Sequence, residues 1–184
     1  NSHPELVEVN NQFNILDIGT GTGCIAISLA KQLPNANVSA IDVSAKALEI
    51  AKKNAQLNQV DINFIENDIL KIRDSELDST SKFDIIVSNP PYVRQLEKQQ
   101  MQDNVLNHEP HLALFVKDDN PLIFYRAITQ FATKNLKPNG KLYFEINEYL
   151  GKEMIELLEE FSFKNIQLRQ DLFGKDRMIK GVLT

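Results

Sequence analysis

The sequence predicts an α/β fold, a doubly wound and mostly parallel sheet covered by helices on both faces. Short apolar runs of strand length alternate with stretches of helical spacing through most of the 184 residues. The runs end in glycines, acids or an amide, the residue types that build ligand sites. The composition, 42% hydrophobic and 24% charged, is that of a chain able to bury one substantial core. Parallel neighbours need a crossover, which a helix supplies, and ligands in such sheets lie outside the carboxyl ends of the strands. Residues 1–184 are therefore expected to form one domain with its chemistry at one edge of the sheet.

The first strand is Asn14-Ile-Leu-Asp-Ile18, an apolar run closed by glycines. Ile25 to Leu33 has helical spacing, and Asn37-Val-Ser-Ala-Ile41 reads as the second strand. Ser44 is placed to cap the next helix, because its hydroxyl accepts from a free N–H of the first turn, and Ala47, Leu48, Ala51 and Ala55 recur along one face to about Asn58. Ile62 to Glu66 and Phe83 to Ser88 are two further buried strands, separated by a polar Ser/Asp-rich loop from Arg73 to Lys82. Pro121 to Leu136 predicts a helix that stops at a Lys137-Pro-Asn-Gly140 turn, followed by a strand over Lys141 to Ile146. Met154 to Phe161 is amphipathic, and Asn165 to Arg169 with Met178 to Val182 bracket Gly174 as a closing hairpin.

Charge and cysteine content narrow the function. A formal net charge of −5 without a long Lys/Arg run argues against nucleic-acid binding through overall charge. One cysteine, Cys24, permits no internal disulfide and fits a reducing, cytoplasmic setting. No apolar run reaches the roughly 20 residues that span a bilayer, so no membrane association is expected. The opening Asn1-Ser2-His3-Pro4 lacks both an initiator Met and a signal-peptide core, which predicts a fragment whose N-terminal region lies elsewhere. His3, His108 and His111 have no metal-ligand partners at useful spacing, and no metal is expected. Cys24 reads as a small packing residue rather than a nucleophile.

Asp17-Ile-Gly19-Thr20-Gly21-Thr22-Gly23 sits between the first strand and first helix, and its glycines let the backbone approach a ligand closely. A dinucleotide fingerprint would be Gly-x-Gly-x-x-Gly/Ala; here the third glycine comes one residue early and Cys24 holds the last position. No Gly-Lys-Ser/Thr follows, which excludes a phosphate-binding P-loop. Asp42, after the second strand, is an acceptor-only carboxylate suited to the two hydroxyls of a ribose. Asp68, after the third, could accept from an adenine amino group, with Ile69 and Ile41 as apolar walls or as core. Asp17 supports the loop from behind or meets a ligand amino group. Any one of these acids alone could be a turn residue, but three at successive strand ends beside a glycine loop point to a nucleoside site.

Ser88-Asn89-Pro90-Pro91-Tyr92 follows a buried strand and carries the most specific signal in the chain. Two prolines remove two backbone donors and fix the direction of the chain. The Asn89 side-chain oxygen and the Pro90 carbonyl are then two acceptors that together grip an NH2 group, while Tyr92 packs against a planar substrate. The alternative for this unit is a proline-stiffened turn with a satisfied Asn.

With these motifs the chain resembles class I S-adenosylmethionine-dependent methyltransferases, which are Rossmann-like, and within them the HemK/PrmC family. Further points of likeness are Glu109-Pro110-His111-Leu-Ala-Leu114, Phe124-Tyr125-Arg126, Leu136-Lys-Pro-Asn-Gly140 and the closing Asp171-Leu-Phe-Gly-Lys-Asp-Arg177. The closing segment separates the glutamine enzymes from the nucleic-acid methyltransferases that share Asn-Pro-Pro-Tyr. The resemblance implies seven strands with an antiparallel terminal hairpin strand. It also implies S-adenosylmethionine held by Asp17, Gly19, Thr20, Gly21, Thr22, Gly23, Asp42, Asp68, Ile69 and Asn89, and leaving as S-adenosylhomocysteine. Asn89, Pro90, Pro91 and Tyr92 would bind the substrate, the Gly-Gly-Gln glutamine of peptide chain release factors, with Asn89, Pro90 and Tyr92 catalytic. An amide nitrogen is a poor nucleophile, so alignment and acceptors for its developing positive charge carry the catalysis.

Three features depart from the family pattern. Val116-Lys-Asp-Asp-Asn-Pro121 replaces a glycine-rich stretch, an upstream Pro-x-Pro-Glu-Thr-like segment is reduced to His3-Pro4-Glu5, and nothing corresponds to the family's N-terminal helical docking domain. The nearest rival function is methylation of the exocyclic amino group of adenine in RNA or DNA, using the same two acceptors and Tyr92 stacking. Against it stand the acidic charge and the absence of a basic module. A non-catalytic nucleoside-binding module would not need Asn89, and an oxidoreductase does not fit the glycine spacing. Glu109, beside Pro110, is a candidate for orienting Tyr92 or for contacting the substrate. Phe131, Phe144, Phe161 and Phe163 read as core.

Overall fold

A computed structural model describes residues 13–72, 82–94, 115–116 and 120–184. The first strand, β1 (Phe13–Ile18), buries Ile15, Leu16 and Ile18 to 2% exposure or less, as a central strand covered on both faces must. It pairs in parallel with β2 (Ala36–Asp42) on one side and β4 (Phe83–Ser88) on the other, and β3 (Asn63–Glu66) extends the sheet beyond β2. On the far side of β4 lies β7 (Leu136–Glu145), then β9 (Asp176–Leu183), then β8 (Phe163–Gln170) at the edge. The order β3-β2-β1-β4-β7-β9-β8 makes seven strands, of which β9 alone runs antiparallel to its neighbours. The sequence-predicted sheet and its antiparallel terminal hairpin strand are both present.

Among the described residues two helices cover each face. α1 (Cys24–Gln32) and α2 (Ala45–Asn58) lie over Ile15, Val38 and Ala40, while α3 (Ile123–Asn135) and α4 (Gly151–Glu160) lie over Leu16, Ile86 and Leu142. Neighbouring residues 15 and 16 thus belong to different cores, the alternation that a strand imposes. As expected, Ser44 caps α2, its hydroxyl accepting from the Ala47 N–H at 3.2 Å, and the helix closes on Gln59 with φ 56°. Tyr125 and Phe144 meet edge-on in the larger core, 5.3 Å between ring centres. Phe131 and Phe163 are buried there too, and Phe161 packs at its margin.

Two features differ from the sequence-based expectation. The helix ends before Lys137–Gly140 as expected, but these four residues form a bulge inside β7 rather than a turn ahead of the strand: Phe83 pairs with Leu136 and Ile85 with Lys141, so one residue of β4 faces four of β7. Asn139 takes the turn at φ 62°, and Lys137 reaches back to Asp84 Oδ2 at 2.8 Å. The chain does turn at these residues, but strand pairing continues on both sides of them. A second, two-stranded ladder, β5 (Val93–Arg94) with β6 (Phe115–Val116), has too few residues to show a period in sequence. No described helix is long and apolar enough to cross a membrane. Most of the predicted polar loop, residues 73–81, lies outside the described residues.

Candidate active site

Because β1, β2, β3 and β4 are adjacent and parallel, their carboxyl ends bring Asp17–Gly23, Asp42, Asp68 and Asn89 to one edge of the sheet. The glycine loop is fixed against β2. The N–H groups of Gly19 and Thr20 both donate to the Ile41 carbonyl, at 2.8 and 3.0 Å, and the Gly21 N–H donates to Asp42 Oδ2 at 2.8 Å. The loop therefore offers bare backbone surface rather than a row of free amides, which suits a closely approaching nucleoside better than a phosphate. Gly19, Gly21 and Gly23 have φ of 73°, 56° and 89°. A Cβ built on Gly19 or Gly21 meets nothing within 4 Å, so open space lies over both. At Gly23 the Cβ would strike Ile27 Cδ1 at 3.0 Å and Ala51 Cβ at 3.1 Å. The first two glycines face room for a ligand, whereas Gly23 lets α1 pack on α2.

Asp17 is fully buried and acts as a helix cap. Gly23, at the N-cap position of α1, has no side chain to offer, and Asp17 Oδ2 accepts instead from the Ala26 N–H at 3.2 Å and from the Thr20 hydroxyl at 2.7 Å. Its other oxygen, Oδ1, is buried without a hydrogen-bond partner among the described residues. Burial drives the carboxyl from its ordinary 3.8 up to about 6, against the pull of the Thr20 and Ala26 bonds and with a push from Asp42. An orphaned carboxylate oxygen behind a ligand loop fits an amine-bearing ligand.

Asp42 is half-buried, with Oδ2 on Gly21 and Oδ1 accepting from the Ser44 N–H at 2.9 Å. A carboxylate has roughly four acceptor positions, so each oxygen keeps capacity for one hydroxyl of a diol. Asp68 is more occupied: Oδ1 accepts from the Leu70 N–H at 3.0 Å and Oδ2 pairs with Lys71 at 2.9 Å. Burial would raise its pKa, but those two contacts together bring it below the usual carboxylate range. Ile69 is half-buried against the larger core, while Ile41, at 1% exposure, belongs to that core. Thr20 is nearly buried, and Thr22 is exposed with its carbonyl accepting from Asn54 Nδ2 at 3.0 Å. Cys24 does not pack as expected: it is exposed in the first turn of α1, its sulfur 3.5 Å from Thr22 Oγ1.

At the end of β4, Ser88 is fully buried and its hydroxyl donates to the Ile18 carbonyl at 2.6 Å, tying β4 to β1, the strand that bears the glycine loop. Asn89 follows, exposed; Pro90 is buried, and Pro91 and Tyr92 are half-buried. The Tyr92 hydroxyl donates to Glu145 Oε1 at 2.8 Å, and its backbone carbonyl accepts from Asn147 Nδ2 at 3.1 Å. Burial first, then Glu145, push the phenol up to about 12, so Tyr92 stays protonated and is no general base near neutral pH. Glu145 and Asn147 are not among the residues that sequence reasoning singles out. The signal is nevertheless there in Phe144-Glu-Ile-Asn147, where two polar side chains alternate with two core residues at a parallel strand's carboxyl end. Glu109, the sequence-based candidate for orienting Tyr92, lies outside the described residues, as do all three histidines. Among the described residues no group of His, Cys, Asp and Glu could hold a metal ion.

The methyltransferase small domain model matches residues 5–113. The chain is 66% identical over 166 residues to a release factor glutamine methyltransferase of Flavobacterium psychrophilum and 49% identical over 165 residues to one of Bacteroides thetaiotaomicron, each match covering 90% of this chain. It spans only 57% and 58% of the length of those two relatives. Among solved structures it resembles the ribosomal protein L11 methylase of Lactobacillus delbrueckii, with TM-score 0.63, 20% identity and cover of 98% of this chain and 73% of that one. It also resembles a Thermus thermophilus 16S rRNA guanine-N2 methyltransferase in complex with AdoMet and guanosine, with TM-score 0.64, 22% identity and cover of 93% and 37%. Those two likenesses speak to the fold, whereas the release factor enzymes bear out the HemK/PrmC resemblance drawn from the motifs.

Proposed function

The chain belongs to the methyltransferase small domain family, and on that premise we propose that it transfers a methyl group from S-adenosylmethionine to the side-chain amide nitrogen of the Gly-Gly-Gln glutamine in peptide chain release factors. The observation that carries this reading is the Asn89–Tyr92 turn, bound through Ser88 and Ile18 to the strand that bears the glycine loop. The choice of glutamine over other NH2 groups rests on likeness to relatives named for that reaction.

The open backbone over Gly19 and Gly21, the orphaned Asp17 oxygen and the spare acceptor capacity of Asp42 fit this cofactor. The backbone of Gly19, Thr20 and Gly21 would line it, with Thr22 and Gly23 closing the loop. Asp42 would take the ribose hydroxyls and Asp17 face its amino group. Asp68 and Ile69 would flank the base, and Asn89 would border both ligands. When bound, S-adenosylmethionine supplies an electrophilic methyl group on a sulfonium.

Asn89 Oδ1 and the Pro90 carbonyl accept from the two N–H bonds of the amide and set its nitrogen in line, and Pro91 stiffens the turn. As the nitrogen becomes positive, the same two acceptors stabilise the charge, and the nitrogen then loses its proton readily without a strong base. Tyr92, neutral and fixed, packs against the amide plane. The partner is a release factor, and the setting is the cytoplasm, where translation ends.

The test is transfer of labelled methyl by this chain to purified release factor, its Gln→Ala variant, bulk tRNA and DNA. Label on release factor that vanishes with the Gln→Ala variant is the expected result. Label on nucleic acid alone would overturn the glutamine assignment in favour of an exocyclic amino group.

A further inference from the structure

Glu145 ends β7 next to the turn that carries Asn89, and it holds that turn through Tyr92. The Glu145 carboxylate accepts the Tyr92 hydroxyl at 2.8 Å, while its own backbone carbonyl accepts the Tyr125 hydroxyl at 3.2 Å. The fully buried Tyr125 of α3 therefore anchors the strand end from the core side. Asn147, 3% exposed, grips Tyr92 from the other end through its backbone carbonyl at 3.1 Å. A further support comes from β9. The Arg177 carbonyl accepts the Ile146 N–H at 2.9 Å, and its guanidinium donates to Asp171 Oδ2 from Nε and Nη2, each at 3.3 Å, while its charge acts on both Tyr92 and Glu145.

A tyrosine ring turns about two side-chain bonds, so a ring free at its tip samples several poses, whereas one bonded at its hydroxyl and at its backbone keeps one. For a reaction in which alignment carries much of the catalysis, a displaced packing surface costs rate even when every contacting group is present. We infer that Glu145 is a positioning residue for methyl transfer, fixing the Tyr92 ring against the substrate's planar amide through the hydroxyl–carboxylate bond, with Asn147 and Arg177 bracing the pair. The inference rests on the amide-transfer reading and deepens it. It also gives the Asp171–Arg177 segment a structural role. Asp171 holds its own turn, accepting from Phe173 and Lys175 N–H groups at 2.9 and 3.1 Å, and so fixes the arginine beside Glu145.

Steady-state kinetics on the full-length protein, with release factor as substrate, would compare wild type with Glu145→Ala, Glu145→Gln, Tyr92→Phe and the Tyr92→Phe/Glu145→Ala double variant. Because alignment is a rate effect, kcat is expected to fall about tenfold in Glu145→Ala and in Tyr92→Phe, with S-adenosylhomocysteine affinity and Tm held. The double variant should be no slower than the worse single one, since both remove one bond. Gln keeps an acceptor oxygen, so Glu145→Gln should recover at least about fivefold of the loss in Glu145→Ala. A double variant as slow as the product of the singles, or Gln no better than Ala, overturns the inference.

A second readout needs no activity. By NMR of ring-labelled tyrosine, Tyr92, which burial first and the Glu145 carboxylate second hold protonated up to about pH 12 in the wild type, should ionise at lower pH in Glu145→Ala, where the bonded carboxylate is gone. An unchanged Tyr92 titration would overturn the inference as well. Failure of the glutamine reading would show instead in the wild type, as release factor left unlabelled.

Discussion

The proposed cofactor side and the proposed substrate side share one edge of the sheet but are built from bonds of different reach. The glycine loop is held within itself and by the adjacent strand end of β2, about 20 residues on: Asp17 to Thr20 and Ala26, Gly19 and Thr20 to the Ile41 carbonyl, Gly21 to the Asp42 side chain. The Asn89–Tyr92 turn is held by side chains from far along the chain: Ser88 to Ile18, 70 residues away, Tyr92 to Glu145, 53 away, and Tyr92 to Asn147, 55 away. A site of the first kind can be recognised in a short stretch of sequence and is sensitive to whatever alters backbone conformation. A site of the second kind shows only its exposed tip in sequence and is sensitive to changes in elements that never touch the substrate.

The largest effect expected from this contrast is at the tip itself. Asn89→Ala removes an acceptor aimed at developing charge and should lower kcat by about two to three orders of magnitude, while S-adenosylhomocysteine affinity measured by calorimetry changes little. If turnover stayed normal, the two-acceptor grip would be wrong. On the cofactor side, Asp42→Ala should do the reverse. It deletes the acceptor for Gly21 and Ser44 and frees the loop, weakening cofactor affinity by about ten- to hundredfold and leaving turnover at saturating cofactor within a few-fold. An unchanged affinity would show that backbone alone builds the cofactor side.

Asp17 gives a pH signature. Its carboxyl is harder to ionise in the folded protein, at about 6, than in the unfolded chain, at 3.8. Protons are therefore bound more tightly by the native state, and the stability that Asp17 confers is fully present below about pH 4, is lost as pH rises to about 6, and is flat above. Asp17→Asn keeps an acceptor for Thr20 and Ala26 without the charge. Thermal melts of the ligand-free protein between pH 4 and 7 should show that this component of the pH dependence disappears, with the variant the more stable at the neutral end. The smallest effect is expected far from the edge. Arg126 pairs with both oxygens of Glu160, at 2.6 and 3.0 Å, at the surface with both side chains about half exposed, and Arg126→Ala should shift Tm by no more than about 2 °C with methyl transfer intact.

The same contrast explains what is legible in the sequence. Strand and helix positions are legible because the central strands are continuous apolar runs and Ser44 is an unambiguous cap. The glycine loop and Asn89–Tyr92 are legible because each is a local unit with a mechanism. Glu145 is legible only as one of two polar residues alternating with core residues at a strand's carboxyl end, a pattern shared with any solvent-facing strand, and only the packing of β7 beside β4 shows what it faces. The bulge at Lys137–Gly140 is hidden for a related reason: turn residues predict a change of direction, and whether pairing resumes afterwards depends on a strand about 50 residues upstream. The exposure of Cys24 is hidden because its place in the loop says nothing about which way the first turn of α1 points it.

The position of β9 between β7 and β8 has a consequence for synthesis. Among the described residues β8 pairs in the sheet with β9 alone, and it leaves the ribosome before that strand. During that interval β7 and β8 each present an open edge, the feature through which nascent chains pair wrongly with one another. The strand that closes the gap also carries Arg177, so the proposed substrate side is completed by the same event that pairs the facing edges of β7 and β8. A nascent chain stalled before residue 176 should therefore be both catalytically incomplete and prone to self-association.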